Sequence, residues 1–206
     1  MVVRALPILL AFLVAAASAQ PPQEESAYAA QDVAAESVDR AGLLPADAAL
    51  LDRPEYRWQH LQTEHFVLHH DQKIFATKVA RLGERFYDAI SADLPGLRDR
   101  IAPNRSHVFV FRDPGDWTAI VASSPDVDAW AVSFVRGNAM YLQETGTAQS
   151  EKMGTLTHEM AHLVFNRFIP IRLPLWLNEG LAEYYGEFAY RDARGLGQNH
   201  RSAFRT

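Results

Sequence analysis

The chain has 206 residues, 48% hydrophobic and 22% charged, with a formal net charge of −5 and no cysteine. That length suits one compact domain with some peripheral sequence, and the composition excludes wholesale disorder. The dispersed acidic excess gives no footing for nucleic acid or an anionic membrane, which favour a basic face. Without thiols there is no disulfide framework, thiolate zinc site or cysteine nucleophile, so metal chemistry would have to use His and carboxylates.

Residues 1–19 read as a signal peptide. Arg4 supplies the positive start, Leu6 to Ala17 an apolar run too short to span a bilayer, and Ala17-Ser18-Ala19 a small-residue cleavage site. The expectation is an exported protein, periplasmic or extracellular, with no stable membrane insertion after cleavage. Residues 20–55, rich in Ala, Glu, Asp and Pro, read as a flexible linker with a short helix near Asp47 to Leu51. The folded domain is expected over 56–190 and a tail over 191–206.

Within the domain, Thr63 to His70 alternates as a strand, placing Phe66, Leu68 and His70 opposite His65, Val67 and His69. Phe75, Val79, Leu82, Phe86, Ile90 and Leu94 recur at steps of three or four, which predicts one buried stripe on a helix from about Gln72 to Asp93. A second strand is expected over His107 to Phe111. Asp113-Pro114-Gly115-Asp116 then turns into a short helix around Trp117. Trp130 to Phe134 and Asn138 to Gln143 flank Arg136-Gly137 as a hairpin. Two helices follow, from about Ser150 to Phe168 and from near Pro174 to about Phe188. The pattern predicts an α+β fold, a small mostly antiparallel sheet packed on helices.

His158-Glu159-Met160-Ala161-His162 falls inside the first of these late helices. Residues four apart share a helix face, so both imidazoles reach one metal ion, and Glu159 lies beside the open position as a general base. A tetrahedral site needs a third protein ligand. The short connection from Pro170 to Pro174 folds the next helix back antiparallel, bringing Glu179 opposite the His pair. Glu183, one turn further on, is placed to accept a proton from the far nitrogen of a ligand histidine. One zinc ion is the expected cofactor.

His-Glu-Met-Ala-His followed by Trp-Leu-Asn-Glu-Gly-Leu-Ala-Glu-Tyr resembles the gluzincin metallopeptidases, the superfamily that includes thermolysin and aminopeptidase N. The closest likeness is to small bacterial peptidase MA-like domains, and the strong match spans about Thr155 to Tyr185. The resemblance implies a zincin-like fold, with an active-site helix and an antiparallel helix carrying Glu179 as third ligand and Glu183 as its support. It also implies a peptide or protein substrate and endopeptidase activity, since no aminopeptidase signature for a substrate N-terminus is found. Family members use a Tyr or His after the second helix to stabilise the oxyanion. Tyr184, Tyr185, Tyr190 and His200 are available here, with no motif selecting one. The resemblance further suggests Asn138 to Gln143 as an edge strand that pairs with substrate.

His65, His69 and His70 read as a polar strand face rather than a second metal site. Trp117, Trp130, Phe134 and Tyr141 suit either a cleft or a core. The competing functional reading is a catalytically inactive zinc-binding module that binds peptides or envelope components; Glu159 favours the enzyme, because a structural zinc site needs no base. The oligomeric state is not legible in the sequence.

Overall fold

The computed structural model describes residues 28–94, 96, 104–144, 149–169 and 171–193, so the signal-peptide expectation and most of the C-terminal tail lie outside the described residues. In chain order the elements are β1 (Gln31–Val33), α1 (Pro45–Leu50), β2 (Gln59–Gln62), β3 (Phe66–His70), α2 (Lys73–Asp93), β4 (Ser106–Phe111), α3 (Pro114–Ala122), β5 (Ser133–Arg136), β6 (Ala139–Gln143), α4 (Gln149–Phe168) and α5 (Leu175–Ala193). The fold is α+β, as the pattern predicts. One open sheet runs β1-β2-β3-β4-β6-β5. The pairs β1–β2, β2–β3 and β5–β6 are antiparallel, while β3–β4 and β4–β6 are parallel.

Helices cover both faces. On one side, Leu61, Phe66, Leu68, Val108, Val110 and Met140 pack against α2, α4 and α5 through Val79, Phe86, Ile90, Leu156, Met160, Leu163 and Val164. The predicted stripe of α2 is therefore the core-facing one, with Phe75, Leu82 and Leu94 partly buried at its margin. On the other side, Phe109, Phe111, Phe134 and Tyr141 pack against Leu50 of α1 and Trp117, Ile120 and Val121 of α3. Asp113 caps α3, accepting from the Gly115 and Asp116 backbone N–H groups.

Four expectations are overturned. The supposed linker 20–55 is part of the fold from residue 28 onward where described: β1 pairs with β2, and Asp47 on α1 is completely buried. Its composition misleads because its apolar residues are few, yet they cover a sheet face rather than forming a core of their own. The second correction concerns β3, where His69 and His70 are fully buried rather than on a polar face. A central strand in a three-layer arrangement has both sides covered, so alternation stops reporting exposure.

Third, β6 is not an edge strand. It lies between β4 and β5, and β5 forms the edge. Both hairpin strands looked alike in sequence, and only the parallel β4–β6 pairing decides which is inside. Gly137 makes the turn between them with φ +59°, the left-handed region that favours glycine. Finally, Trp130 belongs neither to a core nor to an enclosed cleft, being 81% exposed, whereas Trp117, Phe134 and Tyr141 are core residues.

Candidate metal centre

Helix α4 carries His158, Glu159 and His162, and its opposite side, Leu156, Met160, Leu163 and Val164, is buried in the core. That burial fixes the rotation of the helix and presents both imidazoles toward α5. Helix α5 begins after Pro174, whose carbonyl accepts from the Leu177 and Asn178 backbone N–H groups. Its inward side chains, Ala182 and Tyr185, pack on α4. Gly186 permits the close approach: a Cβ there would lie 3.0 Å from the backbone N and Cα of His158. Sequence reasoning missed Gly186, although a glycine inside a helix, which costs stability, is the signal for such a contact.

The result is that His158, His162 and Glu179 meet. His158 Nε2 and His162 Nε2 are 3.1 Å apart, and each is 3.5 Å from Glu179 Oε2. Among the described residues these three form the one group able to hold a metal ion. A tetrahedral ion with bonds of about 2.0–2.1 Å requires ligand atoms separated by about 3.3 Å along each edge. The observed triangle has that size, and two imidazoles with one carboxylate form a donor set suited to zinc. The residues therefore fit the ion.

The surroundings also fit. Glu183 Oε2 lies 3.5 Å from His158 Nδ1, the nitrogen turned away from the triangle. The geometry puts Glu183 behind His158 rather than His162, on a side chain that is 83% exposed. His162 Nδ1 is buried with no hydrogen-bond partner among the described residues. Burial holds the His162 pKa below the ordinary histidine value, partly opposed by Glu179. A neutral imidazole is the form that binds a metal.

Glu159 lies beside the triangle, not in it. The Ser133 hydroxyl donates to Glu159 Oε1 at 3.2 Å, tying the carboxylate to the edge strand β5. Burial raises the Glu159 pKa, with His158 and the Ser133 hydrogen bond working the other way. A raised pKa suits a group that takes and returns a proton near neutrality. Ser133 was not identified from sequence; nothing marks an isolated serine at a strand start until β5 is placed against α4.

No family model, curated protein or solved structure matches this chain.

Of the candidates for stabilising an oxyanion, Tyr185 is committed elsewhere. Its hydroxyl donates to Asp93 Oδ2 at 3.1 Å and its ring packs on Phe165. Tyr184 is partly exposed next to it. The Tyr190 side chain and His200 lie outside the described residues. Beyond His162, the same face of α4 continues into an open cavity of about 540 Å³ lined by Phe165, Asn166, Ile169, Leu173, Leu175 and Asn178 among others, where the turn at Gly137 closes one side. Of the histidines expected on a polar face, His65 is held by its neighbours: its Nδ1 pairs with Glu84 Oε2 at 2.6 Å under the stacked ring of Tyr87.

Proposed function

We propose that this protein is a zinc-dependent metalloendopeptidase, acting on a peptide or protein substrate. The observation that carries the proposal is the triangle of His158, His162 and Glu179 at tetrahedral spacing with the half-buried Glu159 beside it. Zinc bound there supplies Lewis acidity and lowers the pKa of water toward about 7.

The chain's own residues do the rest. Glu159 accepts the proton of the attacking water at its carboxylate and returns it to the leaving nitrogen. Ser133, through Glu159 Oε1, holds that carboxylate in one orientation. Glu183 favours the tautomer of His158 with its proton on Nδ1 and a lone pair on Nε2. Among the described strands β5 pairs with β6 alone, so an extended substrate strand is expected to add along its other side, next to this machinery, and not at β6.

In keeping with export, the substrate is expected outside the cytoplasm. No described helix is long and apolar enough to cross a membrane. The test is digestion of a peptide library by zinc-loaded protein, beside the same preparation stripped with a chelator. Cleavage at internal bonds, lost on stripping and restored by zinc, is the expected outcome. Stoichiometric zinc with no cleavage of any peptide would instead establish the inactive binding module.

A further inference from the structure

The outer face of the sheet, away from the metal centre, holds a row of buried imidazoles. His60 on β2, His69 on β3 and His107 on β4 lie side by side across three strands. His60 Nδ1 and His69 Nδ1 are 2.9 Å apart, and His69 Nε2 is 2.9 Å from His107 Nδ1. All three side chains are buried. His69 spends one nitrogen on each neighbour, so the row cannot close around a single metal ion. It is a hydrogen-bonded chain.

Proton counting constrains it. A neutral imidazole has one N–H and one acceptor nitrogen, so both bonds must run in the same direction. If His69 donated to His107, the remaining proton of His107 would sit on Nε2, which is buried with no partner among the described residues. In the other direction His107 Nδ1 donates to His69 Nε2, and His69 Nδ1 donates to His60 Nδ1. This leaves only an unfilled acceptor at His107 Nε2, so it is the favoured arrangement, and every ring in it is neutral.

An added proton has no good place. Trp58, Phe109 and Tyr141 form the apolar surroundings, with the Trp58 ring edge-on to His69 and the Phe109 ring 4.6 Å from it. Two carboxylates act on His107, Asp39 and Asp47. Asp39 accepts from the Ala41 N–H, and Asp47 Oδ1 accepts from Arg136 and Tyr141, while the buried Asp47 Oδ2 has no hydrogen-bond partner among the described residues. Arg40 faces the row from the covering segment and Arg167 from α4, both repelling a proton. His70 acts from the other side of β3, with Asp71, Asp32 and Lys73 around it.

What covers the row is the segment that joins β1 to β2. Leu50 and Trp58 are its apolar contacts on that face, the Trp58 ring lying edge-on to His69, and Trp58 Nε1 donates to the Leu50 carbonyl at 3.1 Å, closing the segment on itself. Asp47, in the same segment, anchors Arg136 of β5. The cover thus rests on the imidazole row through Trp58 and is tied by Asp47 to the strand that carries Ser133.

We propose that the His60–His69–His107 chain is an acid-operated latch, whose protonation releases residues 38–58 from the outer face of the sheet. Release also takes Asp47 from Arg136 and loosens β5, so acid reaches the metal centre through its edge strand. The latch requires neither zinc nor peptidase activity.

Burial holds all three rings below the ordinary histidine value, His107 at about 4. A depressed histidine pKa means that the open state binds more protons below about 6.5. The closed state is therefore fully stabilised above about 6.5 and loses that stability as pH falls through the window to about 4.

Hydrogen exchange of the full chain between pH 7 and pH 4, corrected for the intrinsic exchange rate, tests this. Between pH 6.5 and 4.5 the opening constant of the covering segment and β2 is expected to rise by about tenfold or more. Amides of α2 and α4 keep their protection over that range. In the variant H60N/H107N, asparagine amides replace the outer two hydrogen-bonding positions without titrating, and the rise is expected to shrink.

Imidazole nitrogen NMR of the unaltered chain gives the second reading, needed should the variant not fold. His69 and His107 are expected to stay neutral, protonated at Nδ1, until the cover opens. Rings that titrate near 6.5 while residues 38–58 remain protected would overturn the latch, as would equal loss of protection in all elements.

Discussion

Glu159→Gln is expected to bind zinc as the unaltered protein does and to lose about 10²- to 10⁴-fold in peptide hydrolysis, the contribution of a positioned general base. The substitution is well matched to its surroundings. A glutamine oxygen still accepts from the Ser133 hydroxyl, which holds Glu159 Oε1 at 3.2 Å, so the side chain keeps its place and loses only its basicity. None of the three atoms placed to ligate a metal belongs to residue 159. Parallel measurement of kcat and bound zinc separates the two roles. Retained hydrolysis with normal zinc would remove Glu159 as the base.

The second large effect concerns stability and lies on the outer face of the sheet. Asp47 Oδ1 accepts from the Arg136 guanidinium and, at 2.6 Å, from the Tyr141 hydroxyl. The aspartate side chain is fully buried, whereas that of Arg136 is 34% exposed. Removing the arginine leaves a buried carboxylate with the Tyr141 hydroxyl in place of a cation; removing the carboxylate charge leaves an arginine that still reaches solvent.

Arg136→Met is accordingly expected to destabilise the fold by about 3–5 kcal/mol, the usual cost of uncompensating a buried charge. Asp47→Asn, which keeps an acceptor for Tyr141, is expected to cost less. Urea unfolding midpoints of the two variants at pH 7 decide the order. Equal or reversed losses would mean that the pair is worth little beyond packing.

The geometry of the candidate metal site was far more legible in the sequence than the fold around it. His158, Glu159 and His162 announce themselves because a helix repeats every 3.6 residues, so local spacing already determines that the histidines share a face. Glu179 required only a short turn and an antiparallel return. Gly186 and Ser133, by contrast, gain their meaning from long-range packing: one from how closely α5 approaches α4, the other from which hairpin strand forms the edge.

The segment 28–55 failed for a related reason. Its residues stabilise the fold by covering a face built from β4 and β6, and Asp47 looks like an ordinary surface acid until Arg136 and Tyr141 are brought to it. Likewise, three histidines separated along the chain gave no hint of a row, because only the register of β2, β3 and β4 aligns them.

Whether the His158–His162–Glu179 triangle holds a metal is decided by zinc analysis of the purified chain, with affinity measured by competition against a chelator. One zinc per chain is expected, nearly abolished in Glu179→Ala, which removes a ligand atom. In Glu183→Ala, which removes only the carboxylate behind His158 Nδ1, affinity should fall by about 10- to 100-fold. A chain that holds no stoichiometric zinc would rule the site out, and a greater loss in Glu183→Ala than in Glu179→Ala would make Glu183 the third ligand.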